Sequence, residues 1–420
     1  MFVTKYQESS LTKGLGEISL PKWRLLEEEV SLPVAVLYQS RIDNNLNWMQ
    51  KFANAYGVKL APHGKTTMTP ALFRQQQAAG AWGITLATAP QVVAAAAHGC
   101  KRIIMANQLV GKQNMRLIAS VLNDPEAEFY CLVDSIAQVQ QLAAFFAETE
   151  LTLKVLIEVG VNGGRCGCRT PEQVKAVVNE IALHPCIALA GIEVYEGVIH
   201  GENAQAQIHD FLTAVITICH DLITQNAFDT EQVILTGAGS AWYDVVASTF
   251  AEATLHPSII PVIRPGCYLI HDTGIYLDAQ NDVMARNSVA CDLGGDLQSA
   301  LEVWAYVQSI PEPGHVIIGM GKRDVAFDAG LPTPALHYRP AQPTTESRQQ
   351  NLPTAAPKEW QVTAVMDQHA FLSCPTNSDI AVGDMIAFSS SHPCLTFDKW
   401  KHIAVINDEY HVTQLLNTYF

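Results

Sequence analysis

Lys65 stands in VKLAPHGKTTMTP (58–70), at the end of a short extended run and just ahead of a helical segment. A neutral amine in that place can form an imine with an aldehyde cofactor and, once displaced by substrate, remove an α-proton. A solvated surface lysine is the plain alternative. The neighbours His63, Gly64, Thr66 and Thr67 are compact or polar within an apolar stretch, and they favour the functional reading. IEVGVNGGRCGCR (157–169) sets Gly160, Gly163, Gly164 and Gly167 around Arg165. Small residues there let the backbone approach a planar ligand and let the guanidinium turn inward. Tyr195, leaving GIEVYEG (191–197), can stack beside a ring or donate to its substituents.

Two further motifs concern charge. TGAGS (236–240) lies between a strand and a helix start, so Gly237, Gly239 and Ser240 can offer backbone N–H groups and a hydroxyl to a phosphate. It matches neither GxxxxGK[ST] nor GxGxxG, which excludes a nucleotide P-loop and a dinucleotide fingerprint. RPGCYLIHD (264–272) adds Arg264, Tyr268 and Asp272 as a rim, with Pro265 and Gly266 able to form a domain junction. In SSSHPCLTF (389–397), His392 and Cys394 are two apart and on an extended segment would face the same way. Imidazole and thiolate suit zinc. Two ligands make an open site, completed by water or substrate oxygen, and such a metal is a Lewis acid for a hydroxyl. A buried histidine beside an inert cysteine is the alternative. His369 and Cys374 are weaker candidate ligands, and Cys166 and Cys168 form a CxC best read as small side chains at the mouth of the site.

The elements that must hold these residues repeat. Apolar strands are expected at 58–61, 82–87, 102–106, 128–133, 153–159, 187–194, 232–236 and 260–264. Helices fall between or after them at 69–80, 89–98, 112–122, 135–147, 171–183, 205–225 and 240–252. Eight strands alternating with helices predict an α/β protein with a (β/α)8 barrel, and a doubly wound open sheet is the second possibility. Barrel active sites lie at the strand C-termini, where Lys65 sits, and phosphate sites gather at the last two loops, where TGAGS falls. From about 270 the rhythm changes to short strands and tight turns, which predicts a second, mostly antiparallel β domain. The division expected is residues 30–270 for the barrel, with 1–29 and 271–420 in the β-rich domain that carries His392 and Cys394. Residues 339–359 read as a surface excursion.

Composition sets outer limits. At 420 residues and 48% hydrophobic content the chain can bury a large core, and no apolar run is long or clean enough for a membrane span. The first residues lack the apolar core of a secretory signal. Ten cysteines without such a signal fit small buried side chains in a cytoplasmic protein better than disulfides. A net charge of −15 disfavours nucleic acid and anionic membranes as partners.

PHGKT (62–66), GVNGGRCGCR (160–169), YEG (195–197), TGAGS (236–240), RPGCY (264–268) and SHPCLTF (391–397) stand in one order along the chain. From about residue 30 onward this order resembles the D-serine dehydratase and D-threonine aldolase family, and most of all its bacterial amino acid deaminase branch. The resemblance implies an alanine-racemase-type fold, a pyridoxal phosphate barrel joined to a β domain, and a homodimer. It implies that Lys65 is the Schiff-base lysine, that His63, Arg165, Tyr195 and Tyr268 neighbour the cofactor, and that Gly237, Gly239 and Ser240 hold its phosphate. It also makes His392 and Cys394 zinc ligands. The aldolase branch typically has aspartate where Cys394 stands, which leans the reading toward dehydration. Ala238 departs from the more usual glycine pair in the phosphate turn. The expected activity is conversion of a small β-hydroxy D-amino acid, D-serine or D-threonine, to a 2-oxo acid and ammonia. Aldolase cleavage of Cα–Cβ, racemisation and non-catalytic cofactor binding are the alternatives.

Overall fold

The computed structural model describes residues 23–340 and 352–420. Most of the first arm and the core of the 339–359 excursion therefore lie outside the described residues. The first described strand, β1 (Val34–Tyr38), leads into a helix at Gln39–Ala55. Eight parallel strands follow: β2 (Lys59–Leu60), β3 (Ile84–Leu86), β4 (Arg102–Gln108), β5 (Glu128–Val133), β6 (Leu153–Val159), β7 (Ile187–Val194), β8 (Val233–Gly237) and β9 (Ile259–Ile263). They pair in the order β2-β9-β8-β7-β6-β5-β4-β3. The ends meet where His63 bridges Thr85 in parallel and Thr85 N donates to Pro62 O at 2.8 Å. The sheet thus closes into the expected barrel.

Its strands are nearly continuous apolar runs because both faces are covered, one by helices and one by the barrel interior. The interior is filled by Ala61, Ile104, Tyr130, Leu132, Leu156, Ala190, Ile234 and Val262. Strand side chains alternate in direction, so the next inward positions lie two residues further on. Among those positions are His63, Asp134, Glu158, Thr236 and Arg264, with Ala106 the apolar exception. A register shift between Leu189 and Gly191 sets Glu193 beside Glu158 in the same tier. The apolar plug therefore ends in a polar ring at the C-terminal mouth.

The second sheet contains β10 (Leu301–Glu312), β11 (His315–Ile318), β12 (Thr333–Tyr338), β13 (Thr354–Ala355), β14 (Gln361–Val365), β15 (Ala370–Ser373), β16 (Met385–Ser389), β17 (His402–Ile406) and β18 (Val412–Asn417). Its pairings are antiparallel except for β1 with β17. β1 thus belongs to this sheet, although a boundary at residue 30 assigns it to the barrel. Val34 and Val36 pack in the same cluster as Trp304, Ala387 and Ala404, and that buried face draws the strand across. Trp23, Leu25 and Leu26 join the cluster, so the described end of the N-terminal arm packs on the second sheet. No helix among the described residues is long and apolar enough to cross a membrane.

Candidate active site

A cavity of about 720 Å³ opens at the barrel mouth and is closed on one side by the second domain. Lys65 reaches it from a short helical turn, Gly64–Thr66, that follows β2. Burial holds the Lys65 amine below its ordinary value; Arg165 and Arg264 add to the effect, and the thiols of Cys394 and Cys267 oppose it. The neutral, nucleophilic form is therefore available at lower pH than for a free lysine. His63 lies two residues earlier, and burial, then Lys65 and Arg264, push its pKa well below the usual value, so the ring is neutral.

Arg264 is the residue that motif reading placed on the rim without giving it a part. It is buried, at 4% exposure, and Nη2 donates to Glu193 and to Val194 O at 3.0 Å. Nε and Nη1 are buried with no hydrogen-bond partner. Unpaired buried donors cost about 1–3 kcal/mol each, so such a pair at a cavity wall marks a missing acceptor. Glu193 Oε2, Thr236 Oγ1 and His63 Nδ1 are likewise without partners. Period-two counting from the apolar plug finds His63, Thr236 and Arg264, while Glu193 enters the tier only through the register shift in β7. The signal was legible as the repeated IEV of 157–159 and 192–194.

Across the mouth, the Arg165 guanidinium lies 4.1 Å from the Tyr195 ring centroid. Added Cβ atoms at Gly197 and Gly239 would stand 2.5 Å from the Tyr195 hydroxyl and 3.1 Å from its Cε2, so both glycines form the slot that holds the ring. Glu158 is a second carboxylate facing the cavity, and Gln108 Nε2 donates to it at 2.5 Å. Burial first, and then Glu193, raise its pKa to about 7. A raised carboxyl pKa gives stability that is full below the unfolded value and is lost as pH rises toward 7. Glu158→Gln should remove that slope. The variant is expected to melt higher than the parent above pH 7, by up to roughly 3 kcal/mol, with the gap closing near pH 4; thermal melts of the cofactor-free protein across that range would show it.

The phosphate turn differs from expectation. Gly237 is buried in β8, where an added Cβ would meet Val194 Cγ2 at 2.9 Å, and it does not line the cavity. The N–H groups of Ala238 and Gly239 donate to the Glu196 carboxylate at 3.0 and 2.7 Å. Ala238 adopts φ 75°, a left-handed conformation that costs an alanine about 1–2 kcal/mol and a glycine little. Ser240 does face the cavity, and its Oγ accepts from Gly266 N and Cys267 N, each at 3.1 Å. Ser240, Gly266 and Cys267 thus present to the cavity a hydroxyl and two backbone N–H groups that could hold an anion, partly beyond the turn read from the motif. Gly266 touches β2's extension so closely that a Cβ would meet His63 O at 2.6 Å and Thr66 Oγ1 at 2.9 Å. Gly266→Ala should cost about 1–3 kcal/mol and weaken cofactor retention, read by melting and by spectrophotometric titration.

Tyr268 is also corrected. It lies in the core at 3% exposure, its hydroxyl accepting from Gln76 Nε2 at 3.1 Å, and Cys267 and Tyr276 take the places on the cavity wall. The cause is the short helix at Cys267–Leu269, which turns consecutive residues to different sides. Asp272 sits behind them, its Oδ1 accepting from the N–H groups of Gly274, Tyr276 and Leu277.

His392 and Cys394 come from the second domain and line the same cavity as Lys65. Their segment is not extended: β16 ends at Ser389 and Cys394 begins a short helix, Cys394–Phe397. His392 Nδ1 bonds Asp328 Oδ2 at 2.7 Å, which orients the ring and leaves Nε2 for a ligand. A carboxylate behind a histidine is the usual support of a metal-binding imidazole. Cys394 Sγ lies 3.6 Å from Cys267 Sγ and 3.6 Å from Thr66 Oγ1. The hydrogen bond from Cys267, then Thr66 and Lys65, favour its thiolate. His369 and Cys374 do not reach the cavity. Asp134, Glu158 and Cys166 present ligand atoms within 4.8 Å of one another. Gln108 and Gly167 N already donate to those carboxylates, and Cys166 is exposed.

The cavity therefore fits pyridoxal phosphate: a lysine of lowered pKa, a hydroxyl with two backbone N–H groups for the phosphate, and unpaired arginine donors for the ring. It also fits a divalent metal, through an oriented imidazole and a thiol disposed to ionise.

A parallel barrel with a lysine at its mouth, capped by a curled sheet that adds donors of its own, defines the alanine-racemase-type fold of pyridoxal phosphate proteins. The family profile described as alanine racemase, N-terminal domain, matches residues 38–243, and that described as putative serine dehydratase domain matches residues 300–406. The chain is related to the family of D-serine dehydratases, D-threonine aldolases and D-hydroxyaspartate dehydratases. A D-threonine aldolase of Arthrobacter sp is 22% identical over 387 residues, 90% of each chain. The D-threo-3-hydroxyaspartate dehydratase of Delftia sp. (strain HT23) is 33% identical over 135 residues, 32% of this chain and 35% of the relative. Among solved structures, D-threonine aldolase from Filomicrobium marinum superposes with a TM-score of 0.77 at 20% identity, covering 95% of this chain and 98% of that one. The Delftia dehydratase gives 0.72 at 19% identity over 94% and 99%.

Proposed function

We propose that this protein is a pyridoxal phosphate- and zinc-dependent dehydratase that converts a β-hydroxy D-amino acid, D-serine or D-threonine, to a 2-oxo acid and ammonia. The observation that carries the reading is that Lys65 of the barrel and His392 and Cys394 of the second domain line one cavity. Ser240, Gly266 N and Cys267 N would hold the cofactor phosphate, and Arg264 and His63 its ring. When bound, that cofactor supplies the electron sink for negative charge developing at Cα. Neutral Lys65 takes the Cα proton of the substrate. Zinc on His392 and Cys394 would supply the Lewis acid that lets the β-hydroxyl leave as water. Arg165 over Tyr195 narrows the entrance and places a cation where a substrate carboxylate can pair with it. The enamine left by loss of water hydrolyses to the 2-oxo acid and ammonia, pyruvate from D-serine and 2-oxobutyrate from D-threonine. We place the enzyme in the cytoplasm as a homodimer.

Cys394 favours this reading over an aldolase. A D-threo-3-hydroxyaspartate dehydratase has been solved as a histidine-to-alanine mutant and as a cysteine-to-alanine mutant in the metal-free form, and the two mutated residues stand two apart, the spacing of His392 and Cys394. The aldolase reading is kept because the Arthrobacter relative is an aldolase and matches nearly the whole chain. Purified protein loaded with both cofactors and given D-serine or D-threonine, with the L-enantiomers as controls, separates the two. D-specific 2-oxo acid with equimolar ammonia supports dehydration; glycine with an aldehyde would replace it by Cα–Cβ cleavage.

A further inference from the structure

On the reading that a divalent metal sits on His392 and Cys394, the pair is one ligand short. Catalytic zinc sites are commonly held by three side chains, two cysteines and a histidine among the known sets, with the fourth position left to water or substrate. Cys267 lies where the third would be. Its Sγ is 3.6 Å from Cys394 Sγ, and both cysteines are free. Two thiolates bound tetrahedrally to one zinc at about 2.3 Å stand about 3.8 Å apart. The sulfurs are therefore already separated by close to the edge of a shared coordination sphere, and by far more than the ~2.05 Å of a disulfide.

The surroundings point the same way. Thr66 Oγ1 lies 3.7 Å from Cys267 Sγ and 3.6 Å from Cys394 Sγ, so one hydroxyl touches both sulfurs. Tyr276 and Cys267 line the same cavity, and the Tyr276 ring centroid is 6.4 Å from that of His392. Cys267, Cys394, His392 and Lys65 all border the cavity. Two thiols from distant parts of the chain, 127 residues apart, meet here and nowhere else among the described residues.

We propose that Cys267 is a third protein ligand of the metal held by His392 and Cys394, giving a two-thiolate, one-imidazole site with its fourth position open to the cavity. Such a set selects a soft divalent ion, zinc, over magnesium or manganese. It also clamps the barrel, which supplies Cys267, to the second domain, which supplies the other two, so metal binding contributes directly to the stability of the domain junction.

X-ray absorption at the zinc edge of the wild-type holoenzyme should require two sulfur scatterers. In the cobalt-substituted protein, Cys267→Ser and Cys394→Ser should each remove about half of the sulfur-to-cobalt charge-transfer absorbance. Zinc affinity should fall in Cys267→Ser by at least about 100-fold, beyond what loss of an outer-shell partner costs. A single sulfur scatterer, with charge-transfer intensity and affinity unchanged in Cys267→Ser but lost in Cys394→Ser, would overturn the third ligand and leave the His392–Cys394 metal standing. Metal retained equally by His392→Ala and Cys394→Ser would instead remove the metal from this pair, and Cys267 with it.

Discussion

Lys65→Ala should lower turnover of D-serine or D-threonine by about 10²- to 10⁴-fold, the range that follows loss of a positioned proton-transfer group. It should do so while the fold stays intact, because the side chain reaches into the cavity and packs in no core cluster. Borohydride treatment of wild-type protein loaded with pyridoxal phosphate should leave the cofactor covalently attached at residue 65, and the same treatment of Lys65→Ala should leave none. The pH dependence has a defined sign. The lysine's pKa is held below its ordinary value, so the neutral form is lost as pH falls through that lowered value. kcat/KM should fall on the acid side accordingly, and an arginine at position 65, unable to deprotonate, should abolish the limb along with the activity. Activity in Lys65→Ala within tenfold of wild type would sink the assignment.

The second large effect concerns the other wall of the cavity. His392→Ala, or removal of metal by a chelator, should lower 2-oxo acid formation by at least about 100-fold. Unlike the lysine variant, it should leave the borohydride-trapped cofactor in place. That split would separate the two halves of the proposed chemistry, Lys65 at Cα and His392 with Cys394 at the β-hydroxyl. Readdition of zinc should restore the chelated wild type and not His392→Ala. Full activity after exhaustive chelation would show that the β-hydroxyl leaves without a metal, and His392 would then be only a partner of Asp328.

How the two walls come to face each other is a matter of the second sheet. β16 delivers Ser389 beside the barrel mouth, and the chain then breaks from the strand so that His392 and Cys394 turn toward Lys65. β1 helps to fix that placement, lying between β10 and β17 and leading straight into the first helix of the barrel layer. Asn45 on that helix donates to Leu269 O and Gln298 O at 2.9 and 2.7 Å, which ties the helix to the segment joining the domains.

Local pattern determined the barrel. A strand buried on both faces must be apolar along its length, and eight such runs separated by amphipathic helices have few ways to fold. The same locality made Lys65 visible, because it stands between an apolar strand and a helix with the compact or polar neighbours His63, Gly64, Thr66 and Thr67 around it. His392 and Cys394 were visible as a pair of metal-type donors, Arg165 as a group freed by glycines, Tyr195 as a ring leaving a strand, and Ser240 as a hydroxyl in the loop after β8. What the sequence by itself did not carry was direction and partnership. Tyr268 looked like a rim residue until a single helical turn at 267–269 sent it into the core and Cys267 onto the wall. Gly239 looked like a phosphate donor, but its N–H is taken by Glu196, 43 residues earlier in the chain. Glu193 and Arg264 lie 71 residues apart and acquire meaning only as a pair, one oxygen and two nitrogens of which are still unsatisfied. Hydrogen-bond accounting is a property of the closed barrel, since a donor is orphaned or satisfied only once its distant neighbours are in place. The meeting of Cys267 with Cys394 across the domain junction is of the same kind, because a distance between sulfurs 127 residues apart is set by packing and by nothing in either motif.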